Sequence, residues 1–285
     1  MGIRGVWTFF RKHFPVIDPL LLNPGIRVGI DMYSLVYTHR AQLEPMLELL
    51  AKWSQHGHSL TCVWDGTAPQ EKREIVQERK AGRATADDSK KTLETYLEDH
   101  AAELTEADIR NIKSTIKSLS WQSWHMTANI RKQIENTLGP NVEHLQATGE
   151  ADDQLYKMIL QDKTIDVVVT LDSDLFALGA PRIWRLLFTK GQFTVEEIFV
   201  RYVCSHWGLT LGNLQDACYL AGWDRFHKQG AAYMPFPTAV NRVKHYKNLQ
   251  VILEKFASDS IPDEQALKPY RETKADARRL WSEMA

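Results

Sequence analysis

Three apolar stretches of this 285-residue chain each run into aspartate. "IRVGID" ends at Asp31, "LTCVWD" ends at Asp65, and "DVVVTLDSD" carries Asp172 and Asp174 just beyond Val167 to Thr170. The runs are short and rich in β-branched residues, as buried strands are. "RIWRLLF" follows as a further strand with no acid at its end. Helical spacing lies between them, in "LEPMLELLAKWSQ" and in "ADDQLYKMILQD". Strands alternating with helices predict an α/β fold, a mainly parallel central sheet with helices on both faces. Ligands of such sheets sit beyond the carboxyl ends of the strands. The terminal acids are therefore aimed at one edge, where like charges repel and resist burial. A cation has to hold them, from the protein or from a metal.

Glu150, Asp152 and Asp153 in "GEADD" add to the set. Any single strand-end aspartate serves equally well as a turn residue or a helix N-cap. Four at one edge, beside an acidic helix start, ask for more. Carboxylates alone suit Mg²⁺ or Mn²⁺ rather than Zn²⁺. Two such ions about 4 Å apart suit in-line hydrolysis of a phosphodiester. Glu150 and Asp152 are two positions apart and do not share a face in mid-helix. They converge if Glu150 stands at or before the first turn, after Thr148 and Gly149. Ala151, Leu155, Met158 and Ile159 then bury the other face of that helix.

Composition is that of a globular protein, 44% hydrophobic and 25% charged. A formal net charge of -1 gives no global basic field, so a nucleic-acid partner would rest on local patches. Cys62, Cys204 and Cys218 have no paired spacing, which supports neither a disulfide framework nor a zinc site. No apolar run approaches the ~18 residues of a membrane span. "MGIRGVWTFFRKHF" reads as an amphipathic helix rather than a signal peptide, and Val6 spoils the myristoylation pattern. A soluble intracellular protein is expected.

Residues 71–139 are charged and helical in pattern, with a mobile stretch expected near Ala84 to Ser89. Such an insertion is too long for an ordinary loop. "FTVEEIFVRYVCSHWGL" and "NLQDACYLAGW" read as helices, and a helix pair is expected within "TAVNRVKHYKNLQVILEKF". "DEQALKPYRETKADARRLWSEMA" reads as a polar tail or surface helix.

Taken together, these motifs resemble the flap endonuclease family of XPG-type 5′ nucleases. "MGIRGVWTFF" is similar to the family's opening, "VGIDMYSLVY" to its first metal-binding strand, and "VWDGTAPQEKREIVQERK" to its second strand and basic helix. "GEADDQL" resembles the glutamate-rich segment, "TLDSDLFALG" the D-x-D segment, and "LTLGNLQDACYLAGWD" the helix that delivers the last aspartate, Asp224. The resemblance implies a PIN-like 5′-nuclease core over residues 1–225, with residues 71–139 as a helical arch. It implies a helix-hairpin-helix-like duplex-binding element at 226–256 and a polar tail at 257–285. Asp31, Asp65, Glu150 and Asp152 would surround one Mg²⁺, and Asp172, Asp174 and Asp224 a second, with Mn²⁺ as a substitute. Lys72 and Arg79 match a catalytic basic pair, seven positions and so two helical turns apart. Arg83 continues their stripe. Tyr37 matches an aromatic that stacks on a substrate base, a mode tolerant of sequence, and is equally readable as a core tyrosine. Gly2 would bring the N-terminus to the site. Trp121 and Trp124 read as packing within the arch.

The implied activity is metal-dependent cleavage of branched or 5′-ended DNA, by flap endonuclease or 5′ exonuclease action, in replication, repair or recombination. A monomer is implied, in the nucleus or at the site of DNA replication, or in the cytoplasm for a viral member. Several features depart from the family pattern. Asp152 stands in for a glutamate, and "GAAYMPFPTAV" replaces a glycine-rich hairpin whose backbone approaches phosphate. Pro235 and Pro237 supply neither the angles nor an N–H. "QVILEKFA" matches a sliding-clamp peptide only in part. These losses resemble a compact, divergent member, viral ones included. Viral host-shutoff RNases share the core, so RNA cleavage is the alternative substrate reading. A topoisomerase-primase-type site leaves Asp31, Asp65 and Asp224 unexplained, and a binding protein without catalysis would ordinarily have lost acids that are all present here.

Overall fold

The structure, a computed structural model, describes residues 2–67, 73–223, 225–226, 234–256 and 264–283. Among the described residues seven strands form one sheet in the order β1-β7-β6-β5-β2-β3-β4. They are β1 (Val16–Ile17), β2 (Arg27–Asp31), β3 (Ser59–Trp64), β4 (Glu143–Gln146), β5 (Val167–Val169), β6 (Arg182–Thr189) and β7 (Gln192–Phe199). From β6 through β5, β2 and β3 to β4 every pairing is parallel, while β7 lies antiparallel to both β6 and β1. The expected mainly parallel α/β sheet is therefore present, closed at one side by an antiparallel hairpin.

The helices are α1 (Val6–Phe10), α2 (Met32–His39), α3 (Leu43–Gln55), α4 (Arg73–His100), α5 (Glu106–Ser123), α6 (Ala128–Leu138) and α7 (Ala151–Leu160). They continue with α8 (Asp174–Leu178), α9 (Val200–His206), α10 (Leu211–Leu220), α11 (Phe236–Tyr246), α12 (Leu249–Phe256) and α13 (Glu264–Ser282). Helices cover both sheet faces, as alternation along the strands requires. On one face Trp53 of α3 meets Trp184 of β6 edge-on, with ring centroids 5.6 Å apart. On the other face α7 lies so close to β2 that a Cβ on Gly29 would stand 2.7 Å from Leu155. Side chains alternate along a strand, so Asp31, two residues beyond Gly29, emerges on the same face as α7.

The segment expected as a helix after β6 begins instead as strand β7. Lys190 and Gly191, both with positive φ, form the tight turn that folds β7 back on β6. Pairing with β6 runs unbroken from Gln192 opposite Thr189 to Phe199 opposite Arg182, and this cross-strand ladder outweighs helical spacing there. Only Val200–His206 of that stretch is helical.

The chain divides into two compact units, Met1–Gly66 with Glu135–Ala285, and Thr67–Ile134. Within the second unit α4 is one 28-residue helix, which includes the stretch expected to be mobile. Alanines at 81, 84 and 86 favour helix there. Lys91 with Asp87 and Lys90 with Glu94 add i,i+4 pairs. In the first unit α13 is no solvated tail. Leu267, Tyr270, Ala277 and Leu280 are all buried along one side of it.

Candidate active site

Strand register places the first acids. Ile30 pairs with Val169, so Asp31 comes level with Thr170, whose hydroxyl donates to Asp31 Oδ2 at 2.9 Å. Asp31 also caps α2, its Oδ1 accepting from Ser34 N at 3.0 Å. Asp65 follows the last residue of β3, and its Oδ1 accepts from Ala151 N, at the start of α7, at 2.8 Å. Gly66 N donates to Gly149 O at 2.7 Å, so the loops carrying Asp65 and Glu150 are joined. Glu150 is the N-cap residue of α7, and Asp152 lies in its first turn. A helix N-terminus favours acids there.

Asp172 and Asp174 follow β5. Asp172 N donates to Thr170 Oγ1 at 3.1 Å, and Asp174 N to Asp172 Oδ1 at 3.2 Å. Asp174 starts α8 and is buried. Leu171 N donates to Ser34 Oγ at 3.1 Å and Leu171 O accepts from Trp7 Nε1 at 3.0 Å. Ser173 Oγ accepts from Ile3 N at 2.6 Å. Gly2 lies directly on this loop. A Cβ there would stand 2.2 Å from Asp172 Oδ1 and 2.4 Å from Ser173 Oγ, and its φ of +64° already favours glycine.

The acids feel one another. Burial pushes Asp31 up to about 7, helped by the charges of Asp65 and Asp172 and opposed by the Ser34 and Thr170 hydrogen bonds. Burial raises Asp152 well above the usual carboxylate range, with Asp31, Asp172, Asp174 and Asp65 all adding to the rise. Asp152 is partly exposed as a residue, yet its Oδ1 is enclosed and accepts no hydrogen bond. Among the described residues neither Asp31 nor Asp152 has a basic partner. Asp153 does have one. It faces Arg225, with which it forms a salt bridge, so it does not take Asp152's place in the cluster.

An enclosed carboxylate oxygen without a donor, amid four other aspartates, is the environment a divalent cation would relieve. All the donors are oxygen, which fits Mg²⁺ or Mn²⁺. Among the described residues no three acidic, histidine or cysteine side chains close into a cage. Mg²⁺ ordinarily keeps several waters and takes few carboxylates directly, so an open ring of acids suits it. Asp224 and Lys72 lie outside the described residues. Arg79 is exposed on α4 and Arg83 half-buried one turn on. Tyr37 is half-buried and stacked on Tyr33 at 5.9 Å, and Tyr33 in turn meets Trp64 edge-on at 6.0 Å. Sequence reasoning missed the supporting groups Ser34, Thr170, Ser173 and Trp7. The hydroxyls flanking the acids in "TLDSD" were the available clue.

The XPG I-region family profile matches residues 141–224, the stretch from β4 to Asp224 that holds four of the seven candidate acids outright and ends on a fifth. Flap endonuclease 1 of Haloquadratum walsbyi is 27% identical over 214 residues, 75% of this chain. The chain spans 60% of the length of that curated relative. Among solved structures, the catalytic core of Rad2 in complex with DNA substrate matches with a TM-score of 0.60 at 16% identity, over 97% of this chain and 80% of that one. Flap endonuclease-1 from Methanococcus jannaschii matches at 0.55 and 18% identity, over 94% and 83% of the two chains. Human GEN1 in complex with Holliday junction DNA matches at 0.56 and 15% identity, over 98% and 63%. These structural likenesses fix the fold. With the I-region covering the acid-bearing segments and a flap endonuclease as sequence relative, the chain is similar to the XPG-type flap endonuclease family across the segments that carry the acids.

Proposed function

We propose that the protein is a metal-dependent nuclease that hydrolyses phosphodiesters in branched or 5′-ended DNA. The observation that carries this reading is the convergence of Asp31, Asp65, Asp152, Asp172 and Asp174, with Asp152 Oδ1 enclosed and undonated. Asp31, Asp65, Glu150 and Asp152 would hold one Mg²⁺ or Mn²⁺, and Asp172, Asp174 and Asp224 a second. Such ions supply an activated water and charge stabilisation at the phosphate. The chain's own part is to hold its carboxylates together before an ion arrives. Hydrogen bonds from Ser34, Thr170 and Ala151 fix two of them against mutual repulsion. Lys72 and Arg79 would contact the scissile phosphate, with Arg83 as an auxiliary phosphate contact. Tyr37 would stack on a base, and Gly2, having no side chain, leaves the space beside Asp172 and Ser173 clear.

DNA is favoured as substrate because the Rad2 and GEN1 structures of the same fold hold DNA and the sequence relative is a flap endonuclease. Residues 71–139 would act as an arch on the 5′ strand and residues 226–256 as a grip on duplex backbone. The protein would act as a monomer wherever DNA is replicated, repaired or recombined. Among the described residues no helix is long and apolar enough to cross a membrane.

Cleavage of a 5′-flap duplex, a nicked duplex and single-stranded RNA of the same sequence, in Mg²⁺, tests the reading. Cutting at the flap junction is expected, and Asp174→Asn should abolish it while binding persists. Preferential cutting of RNA would move the protein to the RNase branch of this fold. An Asp174→Asn variant that cuts at the wild-type rate would refute the two-metal assignment.

A further inference from the structure

Leu171 separates Thr170 from Asp172, and both of its backbone polar atoms are tied. Its N–H goes to Ser34 Oγ in α2, and its carbonyl accepts from Trp7 Nε1 in α1 at 3.0 Å. The indole is itself held from several sides. The guanidinium of Arg185 lies 4.4 Å from the Trp7 ring centroid. Phe176 and Phe14 meet the indole edge-on, at 5.4 Å and 6.1 Å. Arg185 is buried, and its Nη1 donates to Glu196 Oε2 at 2.6 Å. Glu196 Oε1 accepts from Arg11 Nε at 3.2 Å, and Arg11 lies one helical turn beyond Trp7. A chain of contacts thus runs from the β6–β7 hairpin through the indole to the carbonyl beside Asp172.

We propose that Trp7 is a positioning residue for divalent-cation binding: its indole N–H pins Leu171 O, and Arg185 with Glu196 holds the indole in plane. This rests on reading the acid cluster as a cation site. Asp172 shares its surroundings with Asp31 and Asp152. A loop free to move would swing Asp172 outward to relieve that repulsion, and the ion would then have to draw it back. The pin keeps the carboxylate in place beforehand, as outer groups do for metal ligands elsewhere.

Mn²⁺ binding to the full chain without nucleic acid, followed by the paramagnetic resonance of free Mn²⁺, separates this role from packing. Trp7→Phe keeps the aromatic ring and loses the N–H. It should weaken Mn²⁺ binding about tenfold. Phe14→Leu loosens packing against the same indole and leaves the N–H in place. It should lower Tm and leave the Mn²⁺ Kd unchanged. Replacing the Trp7 indole by benzothiophene, which exchanges only the N–H for sulfur, serves if Trp7→Phe melts too low, and should give the same tenfold loss. A Trp7→Phe or benzothiophene variant that binds Mn²⁺ like the wild type overturns the proposal. So does a Phe14→Leu variant that loses as much affinity as Trp7→Phe. A wild-type chain that binds no Mn²⁺ overturns the cation reading itself, and the positioning role with it.

Discussion

Thr170 and Asp31 stand side by side on neighbouring parallel strands, the hydroxyl donating to Asp31 Oδ2 at 2.9 Å. The same hydroxyl oxygen accepts from Asp172 N at 3.1 Å. One buried hydroxyl therefore couples the acid at the end of β2 to the loop that carries two more. It belongs to the strand register as much as to the site, because Ile30 opposite Val169 is what brings the two side chains level.

Thr170→Val keeps the shape and removes that coupling. Asp31 loses a donor it needs in a buried position, and Asp172 N loses its acceptor. Unsatisfied buried groups cost about 1–3 kcal/mol. We expect a fold that survives and a Mg²⁺ requirement that rises about tenfold, read from cleavage rate against Mg²⁺ concentration. An unchanged Mg²⁺ dependence would show that Thr170 serves the strand and not the acids.

Asp152→Asn should separate stability from activity. Its enclosed Oδ1 and four acidic neighbours make the ionised side chain a liability in the absence of metal. In a chelator the variant should melt about 2–4 °C higher than the wild type, the shift that about 1 kcal/mol gives in a domain of comparable size. Adding Mg²⁺ should stabilise the wild type more than the variant, because only binding to the folded state raises Tm. A variant that melts lower in chelator would mean that Asp152 is held by a donor rather than strained by repulsion.

Much of this was legible in the sequence. A strand that runs straight into aspartate announces both the sheet edge and the acid, because the same short β-branched run fixes strand and direction. That logic reaches Asp31, Asp65, Asp172 and Asp174 without coordinates. It fails where a pattern serves two elements. "FTVEEIFVRYV" carries apolar residues at both strand and helix spacing, and the Lys190-Gly191 turn decides for the strand. It fails also for groups that act through geometry alone. Nothing in the spacing of Trp7 shows that its N–H ends at Leu171, 164 positions away. Ser34 supports the site from the first turn of α2, where a serine reads as an ordinary helix-start residue.

His39 gives a pH dependence of known sign. It is buried in α2, its Nε2 donates to Leu186 O at 2.8 Å, and Phe193 meets it edge-on. Burial lowers its pKa below the ordinary value, and the Leu186 carbonyl opposes that shift in part. The unfolded chain therefore binds the proton more readily than the folded one. Its contribution is complete above the unfolded value of about 6.5 and is lost as pH falls through that value toward the folded one. His39→Gln keeps a donor for Leu186 O and cannot titrate. Urea midpoints of the two proteins should converge as pH falls from about 7.5 to about 5.5. Parallel curves over that range would place the titration elsewhere.

The last helix is tied to the core by one buried carboxylate. Asp216 of α10 accepts from Tyr270 Oη at 2.6 Å and from Lys274 Nζ, both on α13, and both bonds end on Oδ1. Trp281 Nε1 donates to Gly179 O at 2.7 Å, at the end of the helix that Asp174 begins. The two substitutions should differ because they leave Asp216 in different states. Tyr270→Phe removes a hydrogen bond to a carboxylate that keeps its cation, at a cost of about 1.5–3 kcal/mol. Lys274→Met leaves the buried carboxylate without its cation, for which about 3–5 kcal/mol is usual. Lys274 is 16% exposed, so the lower end applies. Urea unfolding should therefore rank Lys274→Met as the less stable variant. If both cost under about 0.5 kcal/mol, the range of neutral surface changes, α13 is held by its apolar edge and not by Asp216.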